Sequence, residues 1–163
     1  FSNLDDVLVL LNDLLQFKLD QAASDFSRLA WNTSVGIAGL IDVATPMELP
    51  KHNEDFGQTL GYWGVGNGPY LVLPFFGPST LRDTVGKAVD IHFDPVVQHT
   101  PVPERNSAIA VHTVDARARM FDAEKVLDEA AIDRYVFLRD AYLQRRRGLV
   151  YDGNPPREKL EDD

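Results

Sequence analysis

Phe56 to Leu81 (FGQTLGYWGVGNGPYLVLPFFGPSTL) is a run of 26 residues without one Asp, Glu, Lys, Arg or His, in a chain that is 25% charged. Six aromatic residues (Phe56, Tyr62, Trp63, Tyr70, Phe75, Phe76), six of the 11 glycines and three of the 10 prolines fall inside it. Gly and Pro break the run too often for a membrane-spanning helix or a central strand, because Pro removes a backbone donor and Gly weakens a regular element. So apolar a stretch must still lie against something, and its backbone N–H and C=O groups still need partners. Two environments meet that demand: a packed interior, or a surface that faces lipid or a partner. Apolar runs are usually core, and the sequence leaves both readings open.

The remaining chain narrows the classes. At 163 residues it suits one domain with a single core. Its formal net charge of −9 argues against a nucleic-acid partner, which asks for a basic face. There is no cysteine, so this sequence offers no disulfide, Cys-based zinc site, Cys nucleophile or Cys lipidation site. No run of 18 apolar residues occurs, which excludes an ordinary spanning helix within it. The chain opens on Phe1-Ser2-Asn3 with no Met and no signal peptide, and the expectation is a mature or truncated chain.

Periodicity predicts a mostly α-helical chain. Leu4, Val7, Leu8, Leu11 and Leu15 recur at helical spacing, with Ser2 or Asn3 as cap. Leu19, Ala22, Ala23, Phe26, Leu29 and Ala30 form a second stripe, and the nearly uncharged Trp31–Ala44 follows, weakened as a helix by Gly36 and Gly39. Thr45–Glu54 reads as a loop, Asp55–Gly61 as a short helix, and Tyr70–Leu73 as an extended piece between prolines. Pro78 is placed in the first turn of a helix running to about Ile91, and 92–104 reads as a Pro-containing connection. Ser107–Ala130 and Ile132–Arg147 are the last helices, the latter with Gly148 near its end. Residues 154–163 have the composition of a disordered tail.

Catalytic patterns are missing. His52-Asn53-Glu54-Asp55 matches no metal-ligand spacing, Ser34, Ser79 and Ser107 sit in no G-x-S-x-G elbow, and Gly64-x-Gly66-x-Gly68 is not a dinucleotide fingerprint. The reading is therefore non-enzymatic, with no catalytic residue, no metal and no cofactor. A membrane-associated phospholipase and a scaffold docking to a membrane partner remain the competing classes.

Ordered motifs resemble a known family. Asn32-Thr33-Ser34-Val35-Gly36 followed by Gly39-Leu40-Ile41-Asp42-Val43-Ala44 is similar to the NTxxGxxGxxDxA stretch of the VacJ/MlaA family. Asp55-Phe56-Gly57-Gln58-Thr59-Leu60-Gly61, then Trp63-Gly64-Val65-Gly66, Gly68-Pro69-Tyr70, Leu73-Pro74 and Gly77-Pro78-Ser79-Thr80-Leu81-Arg82-Asp83, resembles its most distinctive block. Asp140-Ala141-Tyr142-Leu143-Gln144-Arg145-Arg146 looks like its REAYxQR element. The resemblance covers residues 1–153 and implies an all-α, single-domain, ring-like helical bundle around an amphipathic channel, with an irregular Gly/Pro-rich loop. It implies an outer-membrane lipoprotein of Gram-negative bacteria, on the periplasmic side of the inner leaflet. Such proteins remove phospholipids mislaid in the outer leaflet and pass them to a periplasmic lipid carrier that serves an inner-membrane transporter, and many associate with trimeric porins. The family's lipobox Cys and NR…FN segment do not occur in this sequence.

A lipid-translocating body needs a neutral, aromatic and aliphatic rim and a polar path for the headgroup. Trp31, Phe56, Tyr62, Trp63, Tyr70, Phe75 and Phe76 are the expected membrane- or channel-facing residues. Gly64, Gly66, Gly68 and Pro69 place a pliable backbone ahead of a stiff one, and read either as a movable flap or as an ordered turn. Asp42, Asp55, Arg82 and Asp83 border the apolar blocks as pairs and caps or as lining of the path, with Arg82 the best phosphate ligand among them. Arg145-Arg146-Arg147 at a helix end reads as a solvated face or as a contact for anionic headgroups or an acidic partner.

Overall fold

A computed structural model describes residues 2–37, 39–74, 76–98, 102–118 and 133–156. Seven α-helices occur among them: α1 (Ser2–Leu15), α2 (Leu19–Ser34), α3 (Phe56–Tyr62), α4 (Leu81–Phe93), α5 (Pro95–Gln98), α6 (Val102–Ala118) and α7 (Arg134–Val150). A 3-10 turn spans Thr45–Met47, and a small antiparallel hairpin joins β1 (Tyr70–Leu73) to β2 (Gly77–Thr80), with Tyr70 opposite Thr80 and Leu73 opposite Gly77. The fold is the expected mostly helical one, with this hairpin added where an extended piece was expected.

Caps set several boundaries. Asp55 accepts from the Gln58 N–H at 2.8 Å to start α3, Thr80 accepts from Asp83 N–H at 3.2 Å to start α4, and Asp133 accepts from the Tyr135 and Val136 N–H groups to start α7. Thr80 therefore displaces Pro78 as the start of α4. Pro78 instead lies in β2 opposite Val72, a short edge position that tolerates a residue without an N–H. Ser2 and Asn3 lie inside α1, and Asn3 donates to the Thr33 hydroxyl on α2.

Other boundaries shift as well. α2 ends at Ser34, and Gly36 closes a turn against Asn32 and Ile41 rather than continuing a helix to Ala44. The described residues of 92–104 are largely helical, because Pro95 and Pro103 occupy first turns, where the missing N–H costs nothing. The helix expected at Ser107–Ala130 is described from Val102 to Ala118; the rest lies outside the described residues, as does Ile132. Gly148 sits inside α7, and its carbonyl accepts from the Gly153 N–H at 2.8 Å. Of the tail, residues 154–156 are described: Asn154 N–H bonds to Tyr151 O, and Pro156 O accepts from Arg147.

α1 packs on α2, and α3 packs on α4 and α7. α3 and α4 approach through glycine: a Cβ on Gly86 would stand 2.3 Å from Gly57 N and 2.6 Å from its Cα, so no larger residue fits at this crossing. The interior is polar. Among the described residues the buried apolar side chains are Val9, Ala22, Ala44, Val96 and Val150, against fifteen buried polar or charged ones. On α1 the buried stripe is Asp6, Val9, Asn12, Asp13 and Gln16, and on α2 it is Ala22, Asp25, Arg28 and Asn32. Leu4, Leu11, Leu14, Leu15, Leu19, Phe26 and Trp31, the apolar stripe of the same helices, point outward.

Candidate functional site: a polar interior behind an apolar exterior

Two adjoining cavities run beside α7. One, of about 500 Å³, is bounded by α1, α3, α4, β2 and α7, and the other, of about 620 Å³, lies between α2, the 51–54 loop and the end of α7. Asn53, Glu54, Arg145 and Leu149 line both. Charged side chains contribute to both walls, with Asp5, Lys87, Asp90 and Arg146 in the first and Lys51, His52 and Asp152 in the second.

The α3–α4–α7 wall is tied by one closed network. Arg146 donates through Nη1 to Asp55 Oδ2 at 2.5 Å and through Nη2 to Asp55 Oδ1 at 2.8 Å and Asp83 Oδ1 at 2.9 Å. Arg82 donates through Nε and Nη2 to Asp83 Oδ1, and the Tyr142 hydroxyl donates to Asp83 Oδ2 at 2.8 Å. All four carboxylate oxygens are thus bonded. Burial works against ionising Asp55 and Asp83, but the charge and hydrogen bonds of Arg146 outweigh it and hold both below the usual carboxylate range. Burial likewise opposes the Arg146 charge, and the two carboxylates reverse that and raise its pKa. Burial, then the bond to Asp83, pushes the Tyr142 hydroxyl up.

The α1–α2 side is different. Gln16 donates to Glu54 at 2.8 Å and to Thr59 at 3.2 Å, Thr59 donates to Asn12 at 2.7 Å, and Lys18 bridges Glu54 at 3.1 Å and Asp152 at 2.6 Å. Asp13 and Asp25 are fully buried. His52 Nδ1 lies 2.7 Å from Asp25 Oδ2, while both oxygens of Asp13 and Oδ1 of Asp25 have no N–H or O–H partner among the described residues. Burial, the neighbouring Asp25 carboxyl and the charge of Glu54 push Asp13 up to about 8. Burial beside a second carboxyl thus favours the protonated form of Asp13. Farther along α2, buried Arg28 donates to Leu49 O at 2.6 Å and to Asp42, and Asp42 accepts from the Thr45 hydroxyl and N–H. Those Thr45 bonds, with Arg28, take Asp42 down to about 2.

The expected site residues separate into groups. Trp31, Tyr62, Trp63 and Phe76 are exposed. Trp63 stacks edge-on to the half-buried Phe56 at 6.1 Å and donates its indole N–H to Leu15 O at 3.1 Å, so it belongs to the same outer surface as the leucines of α1. Tyr70 is half-buried, edge-on to Tyr135 and Tyr142. Phe75 lies outside the described residues. Gly64 and Gly68 adopt φ of +89° and +66°, which only glycine takes easily. The loop is fastened to the start of α4, where Pro69 O accepts from Leu81 N–H at 3.0 Å and Asn67 O from Arg82 N–H at 3.2 Å, while a Cβ on Gly64 or Gly66 would meet nothing within 4 Å. Together with Arg82, Arg147 and Gln144 this loop walls a groove of about 860 Å³.

Sequence reasoning missed most of the polar interior. Gln16, Asp13, Asp25 and Lys87 carried no motif of their own, and Tyr142, though part of the REAYxQR-like stretch, was given no role in the interior. The Arg145–Arg147 run is not one solvated face: successive helical residues are turned by about 100°, so Arg145 enters the two cavities, Arg146 is buried in the network, and Arg147 lines the groove. The run also stands before the helix end, which comes at Val150. The signal available was Tyr142, Arg146 and Val150 at i, i+4, i+8, an inward face that is polar at two of three positions. No described helix is long and apolar enough to cross a membrane.

Comparison with known proteins places this arrangement in a family. The family model described as MlaA lipoprotein matches residues 1–149. The Intermembrane phospholipid transport system lipoprotein MlaA of Escherichia coli (strain K12) is 36% identical over 99% of this chain and 67% of its own length. Its counterpart of the same name in Haemophilus influenzae is 35% identical over 99% of this chain and 66% of its own length, so the chain spans about two thirds of these relatives. A solved structure described as "Structural basis for maintenance of bacterial outer membrane lipid asymmetry" is similar with a TM-score of 0.73 at 32% identity, over 94% of this chain and 76% of that one.

Proposed function

The chain belongs to the MlaA lipoprotein family, and from that premise we propose that it transports phospholipid at the outer membrane of a Gram-negative bacterium, drawing lipid mislaid in the outer leaflet and passing it to a periplasmic carrier. The observation that carries this reading is the inverted polarity: charged side chains line the interior while leucines and aromatics of α1, α2 and the 56–81 window face out. In water an apolar exterior of this extent is unfavourable by about 25 cal/mol per Å²; against acyl chains it is at rest. A phosphodiester cannot enter hydrocarbon cheaply, and the cavities beside α7 give it charged and hydrogen-bonding walls to pass along. The reaction is a change of solvation, with no covalent step and no catalytic residue.

The body sits on the periplasmic side of the inner leaflet, with Trp31, Tyr62, Trp63 and Phe76 at the lipid boundary, beside a trimeric porin. The Gly64–Pro69 loop gates entry to the adjoining groove. Its open Gly66 and its anchored ends support a hinge of that kind.

Detergent-purified protein mixed with labelled phospholipid and acceptor vesicles tests the reading. Lipid bound and transferred intact is the expected result. Released fatty acid replaces transport with hydrolysis, and tight porin binding without lipid replaces it with a scaffold. Gly66→Pro is expected to alter the transfer rate several-fold while leaving the unfolding midpoint within about 2 °C; an unaltered rate removes the gate.

A further inference from the structure

We propose that Lys87 and Arg145 are the phosphate-docking pair of the passage, taking the phosphodiester monoanion of a glycerophospholipid headgroup. This rests on the lipid-transport reading and specifies which atoms meet the lipid.

Most cations on the cavity walls are already committed. Arg146 is ion-paired through both Nη atoms with Asp55 and Asp83. Lys51 is held at 3.3 Å by buried Asp6. Arg82, the sequence's best phosphate ligand, is committed to Asp83 and opens on the neighbouring groove instead. Lys87 and Arg145 remain, and among the described residues neither has a carboxylate within ion-pair distance. Arg145 lines both cavities, at their common wall.

Lys87 is half-buried on α4, with Nζ 5.1 Å from the centre of the Phe76 ring. Burial lowers its pKa, and the carboxylates of Asp55, Asp83 and Asp90 only partly offset this. A half-buried ammonium without a contact counter-ion is unfavourable until an anion arrives. Arg145 adds a planar fork that grips two phosphate oxygens at once.

The carboxylates on the same wall set the charge of the preferred anion. Glu54 is bonded to Lys18 and Gln16, and Asp90 accepts from Phe56 N–H at 3.0 Å. With Asp5, Asp55 and Asp83 they outnumber the wall's three cations, Lys87, Arg145 and Arg146, and this net negative field disfavours a dianion about twice as strongly as a monoanion. The pair therefore selects a phosphodiester over free inorganic phosphate, which is mostly dianionic at pH 8.

The test loads detergent-solubilised protein with equimolar phosphatidylethanolamine and diacylglycerol of identical chains, and reads bound lipid by native mass spectrometry at pH 8. Wild type is expected to retain the phospholipid about tenfold over the diacylglycerol. Lys87→Gln and Arg145→Gln are each expected to cut that ratio several-fold, with Lys87→Arg close to wild type and all unfolding midpoints unchanged. Excess inorganic phosphate should leave loading intact; displacement by it overturns the headgroup assignment. Equal loading of both lipids by wild type, or an unchanged ratio in both Gln variants, overturns the docking pair while transport stands. If neither lipid is retained, the transport reading falls with it.

Discussion

The two polar regions of the interior differ in their charge balance, and this separates a scaffold from a strained site. At the α3–α4–α7 junction two arginines meet two aspartates, and every carboxylate oxygen has a donor. Between α1, α2 and the 51–54 loop carboxyls outnumber cations, and Asp13 faces Asp25 with no donor between them. Buried ions are tolerated only when paired. The first region meets that condition with side chains. The second meets it with a proton, which ties its stability to pH.

The largest effect is expected from breaking the balanced region. Arg146→Ala strands Asp55 and Asp83 and should cost about 3–5 kcal/mol, read as a fall in urea or thermal midpoint. A loss below about 1 kcal/mol would mean that the network is a bystander. Next comes the crossing that holds the region together. Gly86→Ala drives a methyl into the Gly57 backbone and is expected to cost about 1–3 kcal/mol by overpacking; a neutral result would show that α3 and α4 slide apart freely.

The carboxyl-rich region should respond in the opposite direction. Asp13 is raised from 3.8 to about 8 in the fold, so between those values the folded state keeps a proton that the unfolded state has released. Stability from this group is therefore full below about pH 4, falls as pH rises, and levels off above about 8. Asp55 and Asp83 are lowered, so their contribution is present above pH 3.8 and is lost as pH falls below it. Asp13→Asn replaces the proton on Asp13 with an amide donor. It should raise the midpoint at pH 8 by roughly 4–8 °C, about 2 kcal/mol at this chain length, and the gain should vanish near pH 4. A gain independent of pH, or a loss, removes the proton assigned to Asp13.

Much of the fold was legible. The start of α3 and the helical periods of α1 and α2 follow from spacing and from the Asp55 cap; the Asp133 cap that starts α7 was not singled out, and that helix was expected from Ile132. The start of α4 was misplaced because Pro78 gives a strong helix-start signal, whereas Thr80, which forms the cap, gives a weaker one. The aromatic window was legible as unusual, and its exposed Tyr62, Trp63 and Phe76 fit the surface reading left open alongside the core one. The interior was not legible. Asp13 and Asp25 look like ordinary helix-surface residues until α1, α2 and the 51–54 loop come together.

The sequence by itself determined that the chain is mostly helical and that each of the first two helices has one apolar and one polar face. A period of 3.6 residues reports that two faces exist and is silent on which of them turns inward. Tertiary structure decided that, because the polar faces are satisfied only by residues far along the chain: Arg146 reaches Asp55 across 91 positions, and Tyr142 reaches Asp83 across 59. Ion pairs and hydrogen bonds need atoms within about 3 Å, and only the assembled helices supply that distance.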